Sequence, residues 1–91
     1  MDMENALKLA VADGKAVFGA REVRECLGRK KARAVIYADN APDAPFYSTT
    51  KEVKTYRFPG GSIELGAACG KPFAVSVVAI TDDSSANLFG E

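Results

Sequence analysis

The sequence predicts an α/β domain with helices on both sides of a four-stranded, mostly parallel or mixed sheet. Three observations carry that expectation. Helical spacing and short strand-like runs alternate four times along the chain. Glycines mark the ends of the helical segments. One long run, Ala74 to Thr81, is apolar on both faces, which suits a central strand of a covered sheet. Ninety-one residues, 47% of them hydrophobic, fit a single domain over 1–91 with a modest core.

The elements follow in order. Asp2 can cap a first helix, in which Met3, Leu7, Ala10 and Val11 share a face and Gly14 is the stop. Lys15 to Phe18 is a short strand, followed at once by Gly19. A second helix runs from about Ala20 to Leu27, with Val23, Cys26 and Leu27 on one face and Gly28 at its end. GRKKAR then leads to a second strand, Ala34 to Ala38. Asp39, Asn40, Ala41 and Pro42 signal a turn. APFYSTTKEV is ambiguous: Phe46, Thr50 and Val53 fit a helical face, but Tyr47 and the threonines weaken propensity. Thr55 to Phe58 is a third strand. A short helix from about Ser62 to Cys69 has Ser62 as N-cap, Glu64 in its first turn and Gly70 at its close. The fourth strand ends near Thr81. The tail DDSSANLFGE is polar, with a last turn anchored by Leu88 and Phe89.

Composition narrows the chemistry. The chain has no histidine, which removes histidine acid–base catalysis, the Ser-His-Asp triad and histidine-ligated zinc. Cys26 and Cys69 stand far apart and make a poor zinc site, since structural zinc takes four ligands. Two reduced, buried thiols are the expectation. No apolar run approaches the roughly 20 residues of a membrane span. The start, MDMENALKLA, lacks a signal-peptide layout, so a soluble, intracellular protein is expected. Formal net charge is zero, but Arg21, Arg24, Arg29, Lys30, Lys31 and Arg33 supply half of the 12 basic residues. Such a segment can form a local positive face, or simply a solvated helix and turn.

FPGGSIELGAACGKPF (58–73) resembles a phosphate loop and fails as one. Gly66 to Gly70 spans only three intervening residues, with Pro72 where a hydroxyl should bind magnesium. Gly61 to Gly66 has the right gap, but Ala67 replaces the lysine. The stretch reads instead as a short helix between two loops, whose glycines, Gly60 and Gly61, permit unusual backbone conformations and close approach of a nucleic acid. Three other junctions resemble it: Gly19 before the second helix, Asp39-Asn40 after the second strand, and Lys71-Pro72-Phe73 before the last. In an α/β domain such loops gather at one sheet end, where ligands bind.

KAVFGAREV, ARAVIYADNAP and TYRFPGGSIELGAACGKPFAVSVVAI together resemble the large-subunit ribosomal protein L-thirty-e family of archaea and eukaryotes. That family belongs to a wider group of kink-turn RNA binders. The resemblance spans about residues 5–81, and its most specific part is the G-G-x-x-E-L-G-x-x-x-G-K-x-F run. It implies a three-layer α/β/α sandwich with a four-stranded mixed sheet. It implies RNA contacts at Gly19, Ala20, Arg21 and Glu22, at Asn40, at Gly61 and Ser62 beside Gly60, and at Phe73, Ala74 and Val75 after Lys71. Arg21, Arg24, Lys30 and Lys31 would meet phosphates, and Phe73 with Val75 would form an apolar platform. Some relatives carry asparagine where Ser62 stands and arginine where Ala74 stands.

The expectation is a non-catalytic constituent of the large ribosomal subunit, cytoplasmic, monomeric when free. It would bind ribosomal RNA or another kink-turn RNA beside neighbouring ribosomal proteins, with no cofactor, metal or membrane. The alternatives are a core protein of a guide-RNA or RNA-processing particle, a protein-interaction domain, and a small α/β metabolite-binding module or enzyme.

Overall fold

Helix and strand alternate strictly: α1 (Met3–Ala12), β1 (Ala16–Phe18), α2 (Ala20–Gly28), β2 (Ala34–Tyr37), α3 (Ala44–Thr49), β3 (Lys54–Arg57), α4 (Ser62–Ala68) and β4 (Val77–Ile80). The structure is a computed structural model that describes residues 3–42, 44–49 and 53–83. The expected cap at Asp2 and the tail anchored by Leu88 and Phe89 lie outside the described residues. The sheet order is β1-β4-β2-β3. β2 and β3 are parallel, while β4 is antiparallel to both β1 and β2. The sheet is therefore mixed, as expected.

β2 and β4 are central, and every residue of each is buried. Both faces of the sheet must then be covered, because a half-solvated strand alternates in burial. α2 lies over β1 and β4, α3 lies over β2 and β3, and α1 packs against α4. This is the α/β/α sandwich. β4 is shorter than its apolar run: Ala74 to Ser76 precede the strand as loop.

The face of α3 differs from the sequence expectation. Tyr47 is 1% exposed, whereas Phe46 is 48% exposed. Tyr47 stacks on Tyr37 with ring centroids 6.0 Å apart. That burial of an aromatic side chain outweighs the weak local helix propensity. Phe46 turns outward and meets the Arg24 guanidinium, 5.5 Å from its ring centroid.

Three helices close with the same hydrogen-bond pattern. At α1 the Gly14 and Lys15 amides donate to Val11 and Ala10 carbonyls at 3.1 and 2.9 Å. At α4, Gly70 and Lys71 donate to Ala67 and Gly66 at 3.0 and 2.9 Å. At α2, Lys30 and Lys31 donate to Leu27 and Cys26, both at 3.0 Å. This is the Schellman closure, which sets one residue in the left-handed region. In α1 and α4 that residue is glycine, at φ 70 and 75; in α2 it is Lys30, at φ 58. Gly28 ends α2, as expected, and the left-handed turn falls two positions later, at Lys30.

Cys26 and Cys69 are both free and buried. Burial pushes the Cys69 thiol from its ordinary 9.0 up to about 11, against a smaller opposing pull from Lys71. A raised folded-state value means the folded chain holds its proton more tightly than the unfolded chain. The associated stability is complete below about pH 9 and is lost as pH rises towards about 11. Urea midpoints of wild type and Cys69→Ala should therefore converge over that alkaline window. A constant difference would contradict the assignment. No helix among the described residues is long and apolar enough to cross a membrane.

Candidate nucleic-acid interface

The sheet's register fixes which loops meet. β2 and β3 are parallel, so both finish at one end, at Tyr37 and Arg57. β4 is antiparallel to β2 and starts at that end, with Val77 opposite Tyr37. β1 is antiparallel to β4 and finishes there, with Phe18 opposite Val78. The four connections singled out by sequence therefore emerge together.

Hydrogen bonds join them. The Gly19 N–H donates to the Val77 carbonyl at 3.1 Å, and Ala38 N–H to Ser76 at 2.8 Å. Asp39 N–H donates to Gly60 at 2.8 Å, and Val75 N–H to Ser62 at 3.0 Å. The side chain of Asn40 completes the set, its Oδ1 accepting the Ser62 N–H at 2.9 Å. These bonds cross four chain segments, so no one loop moves independently of the others.

Gly19 sits at φ 93 and ψ 149, a conformation essentially reserved for glycine. Its carbonyl accepts the Val23 N–H at 2.9 Å, which opens α2 directly off the strand. Ala20 begins the helix, and Arg21 and Glu22 stand exposed in its first turn. Arg21 Nε lies 3.8 Å from a Glu25 carboxylate oxygen, an exposed pair that holds the guanidinium only loosely. Arg24 lies farther along the helix and is turned to the α3 flank by Phe46.

Three sequence expectations at α4 are corrected. Ser62 is the first helical residue, not the N-cap; Gly61 holds the cap position and has no side chain to offer. Asn40, from the loop after β2, supplies the missing acceptor. Gly60 and Gly61 do not adopt left-handed conformations, and Gly61 has φ −80 and ψ −177, open to any residue. A Cβ at Gly61 would stand 3.1 Å from a Glu64 carboxylate oxygen, the tip of an exposed side chain, and 3.4 Å from Asn40 Nδ2, so a larger residue there would crowd the Asn40 cap. Val75 is 3% exposed, so it belongs to the core and cannot serve as a platform. Phe73 and Ala74 remain exposed.

Two residues that sequence reasoning missed, Ile63 and Arg57, lie at this end, Ile63 beside the expected Phe73. Ile63, in the first turn of α4, is 75% exposed, and Phe73 is 57% exposed. Large apolar side chains left open beside a glycine-lined loop suit contact with a nucleobase face. A helical face read from Leu65 and Ala68 would have put Ile63 outside. Arg57 ends β3 and pairs with Asp39 at the end of β2. The hydrogen bond from Arg57 to Asp39, and then the charge of Asp39, raise the Arg57 pKa further. The signal was its place immediately before the FPGG turn. Lys71 Nζ sits 4.9 Å from the Phe18 ring centroid, so this loop also contacts the end of β1.

Lys30 and Lys31 do not join this end. α2 starts at the four loops and runs away from them for nine residues, roughly 13 Å at 1.5 Å per residue. Both lysines sit at the opposite end, where the Arg33 N–H meets the Ile80 carbonyl at the far end of β4. Among the described residues, no three Cys, Asp or Glu side chains gather as a metal site.

Comparison with known proteins agrees with this geometry. The model of the Ribosomal protein L7Ae/L30e/S12e/Gadd45 family matches residues 1–89. Large ribosomal subunit protein eL30 of Methanosphaera stadtmanae is 36% identical, over 97% of this chain and 95% of that one. The same protein of Methanospirillum hungatei is 34% identical with the same coverage. That of Branchiostoma belcheri is 33% identical, over 94% of this chain and 80% of its own. Among solved structures, a Giardia lamblia 15.5kD RNA binding protein superposes with TM-score 0.78 at 26% identity, covering 94% of this chain and 77% of that one. A Bacillus halodurans protein of unknown function reaches TM-score 0.79 at 18% identity, covering 93% and 89%, and supports the fold alone.

Proposed function

Because the chain belongs to the ribosomal protein L7Ae/L30e/S12e/Gadd45 family, we propose that it is a non-catalytic, structural RNA-binding protein of the large ribosomal subunit, and that its four-loop end grips a kink-turn. The relatives' names support the ribosomal role, and the Giardia neighbour supports RNA binding. The observation that carries the kink-turn reading is the bond from Ser62 N–H to Asn40 Oδ1. It locks two loops into one rigid surface and leaves the Asn40 amide N–H groups as donors. A bent internal loop offers splayed bases and unpaired edges, which a rigid surface with donors and apolar side chains can recognise.

In this reading Gly19 and Ala20 let the RNA backbone approach the start of α2, and Arg21 and Glu22 contact base edges or phosphate. Arg24 and Lys71 meet phosphates at the flanks. Gly60, Gly61 and Ser62 border the kinked strand. Phe73, Ala74 and Ile63 form the apolar platform. The RNA held would be ribosomal, beside neighbouring ribosomal proteins in the cytoplasm.

The expected result is tight binding to a kink-turn stem, with affinity falling linearly in log–log plots as salt rises. Arg21→Ala should weaken it by about 1–3 kcal/mol if the arginine forks onto a base. Filter binding or fluorescence anisotropy measures both. Equal affinity for a straight duplex of the same length would sink the kink-turn reading. Copurification with small guide RNAs rather than large subunits would sink the ribosomal one.

A further inference from the structure

The basic residues of this protein concentrate at the end away from the four loops. Arg29, Lys30, Lys31 and Arg33 lie in the connection from α2 to β2, and all four are exposed. Lys15 joins them, because its carbonyl accepts the Thr81 N–H at 2.9 Å where β4 ends. Lys54 opens β3 opposite Ala34 and is also exposed there. Asp13, Glu25, Asp82 and Asp83 are the acids adjoining this end among the described residues; Glu25 lines one pocket with Arg29 and Lys31, and Asp83 is paired with Arg33 at 3.3 Å. The described residues thus leave a net positive pole on a chain whose formal charge is zero. Beside it, Lys30 and Arg33 border a cavity of about 390 Å³ whose other walls are Leu27, Ala32 and Val53.

Lys30 adds an observation of a different kind. It takes the left-handed position that glycine takes in the matching closures of α1 and α4. A side chain there is disfavoured relative to an ordinary conformation. Stabilising the helix C-terminus does not require it, since Arg29 and Lys31 already supply cations on either side. The closure of α2 accounts for the left-handed backbone, but not for lysine in place of glycine there, and an exposed cation kept in a disfavoured conformation points to function.

We propose that this pole is a second RNA-binding surface, on which Arg29, Lys30, Lys31 and Lys54 hold the phosphates of a segment other than the kink-turn. The inference rests on the RNA-binding reading above and goes beyond it, because it makes the protein a bridge between two RNA elements. Phosphate contacts by lysine and arginine carry no sequence information, so binding here is electrostatic and weaker than at the four loops. The two surfaces are separated by the length of the sheet, and one chain can occupy both.

The test uses the full chain with two probes, a kink-turn stem and a short straight RNA duplex. Amide NMR shifts on adding duplex should fall on residues 29–33 and Lys54, including in protein already saturated with kink-turn. Lys30→Asn with Lys31→Ala removes two charges, and asparagine tolerates the left-handed position. That variant should lose duplex affinity by on the order of tenfold at low salt and lower the salt slope by about 2. Its kink-turn affinity should stay within about twofold of wild type. Lys54→Ala, on the adjacent strand end, should weaken the duplex in the same direction without touching the helix closure. Duplex-induced shifts confined to residues 19–22 and 60–62, or an equal loss of both RNAs in the double variant, would overturn the second surface. Loss of kink-turn preference with the far-pole shifts intact would overturn only the four-loop reading.

Discussion

Gly66→Ala should destabilise the protein by about 1–3 kcal/mol and disorganise the end proposed to bind RNA, although alanine is the better helix former. Inside an exposed helix this exchange would stabilise by up to about 1 kcal/mol. Here the α4–β4 loop lies directly on the helix. A Cβ at Gly66 would fall within the Phe73 carbonyl oxygen, and would stand 3.1 Å from Phe73 C and 3.4 Å from Ala74 Cα. The obstacle is backbone, which cannot rotate away as a side-chain tip can. Relief requires the loop to lift, which strains the bonds from Lys71 N–H to Gly66 and from Val75 N–H to Ser62. Each is worth about 0.5–1.5 kcal/mol. Gly28→Ala is the control, since nothing lies within 4 Å of a Cβ at that helix end. Urea unfolding should move the two variants in opposite directions. Gly66→Ala should also weaken kink-turn binding, because Phe73 and Ala74 travel with the loop. Equal stability of the two variants would show that the loop is not seated on α4.

Those glycines show how far sequence reasoning reaches. The alternation of elements, the ends of α1 and α4, and the buried central strand were legible because each depends on local spacing. The meeting of the four loops was legible too, since it follows from topology. Relationships across the chain were not. Nothing in SIELG reveals that Asn40, 22 positions earlier, caps the helix. Nothing in APFYST announces that Tyr47 will find Tyr37 and turn Phe46 outward. Val75 reads as an apolar loop residue, and only the Val75–Ser62 bond places it in the core. Six basic residues in a row of thirteen look like one patch. A helix lies between them, so Arg21 and Lys31 face opposite ends of the molecule. The failed phosphate-loop pattern has a structural origin as well: Gly66 is glycine so that a carbonyl can approach, and Gly70 so that a helix can close.

Asn40 offers the sharpest separation of folding from binding. Its Oδ1 stabilises α4 through the Ser62 N–H, while its amide hydrogens are the donors proposed for RNA. Asn40→Ala removes both, and should cost about 0.5–2 kcal/mol of stability as the loss of a helix cap does. Asn40→Asp keeps an acceptor for the Ser62 N–H and places a negative charge at a helix start, where it is favoured. Its stability should stay near wild type, with Asp39 nearby as the opposing influence, itself paired with Arg57. The aspartate has no N–H to donate and repels phosphate. RNA affinity should therefore fall by about 1–3 kcal/mol or more in a variant that is still folded. Chemical denaturation and kink-turn titration on the same samples decide the matter. If Asn40→Asp binds RNA as wild type does, Asn40 is a cap alone and the RNA contacts lie elsewhere on the four loops. If stability and affinity fall together in both variants, the cap rather than the donor controls binding. Only the divergence of the two variants, with stability lost in one and affinity lost in both, assigns the two ends of this side chain to two tasks.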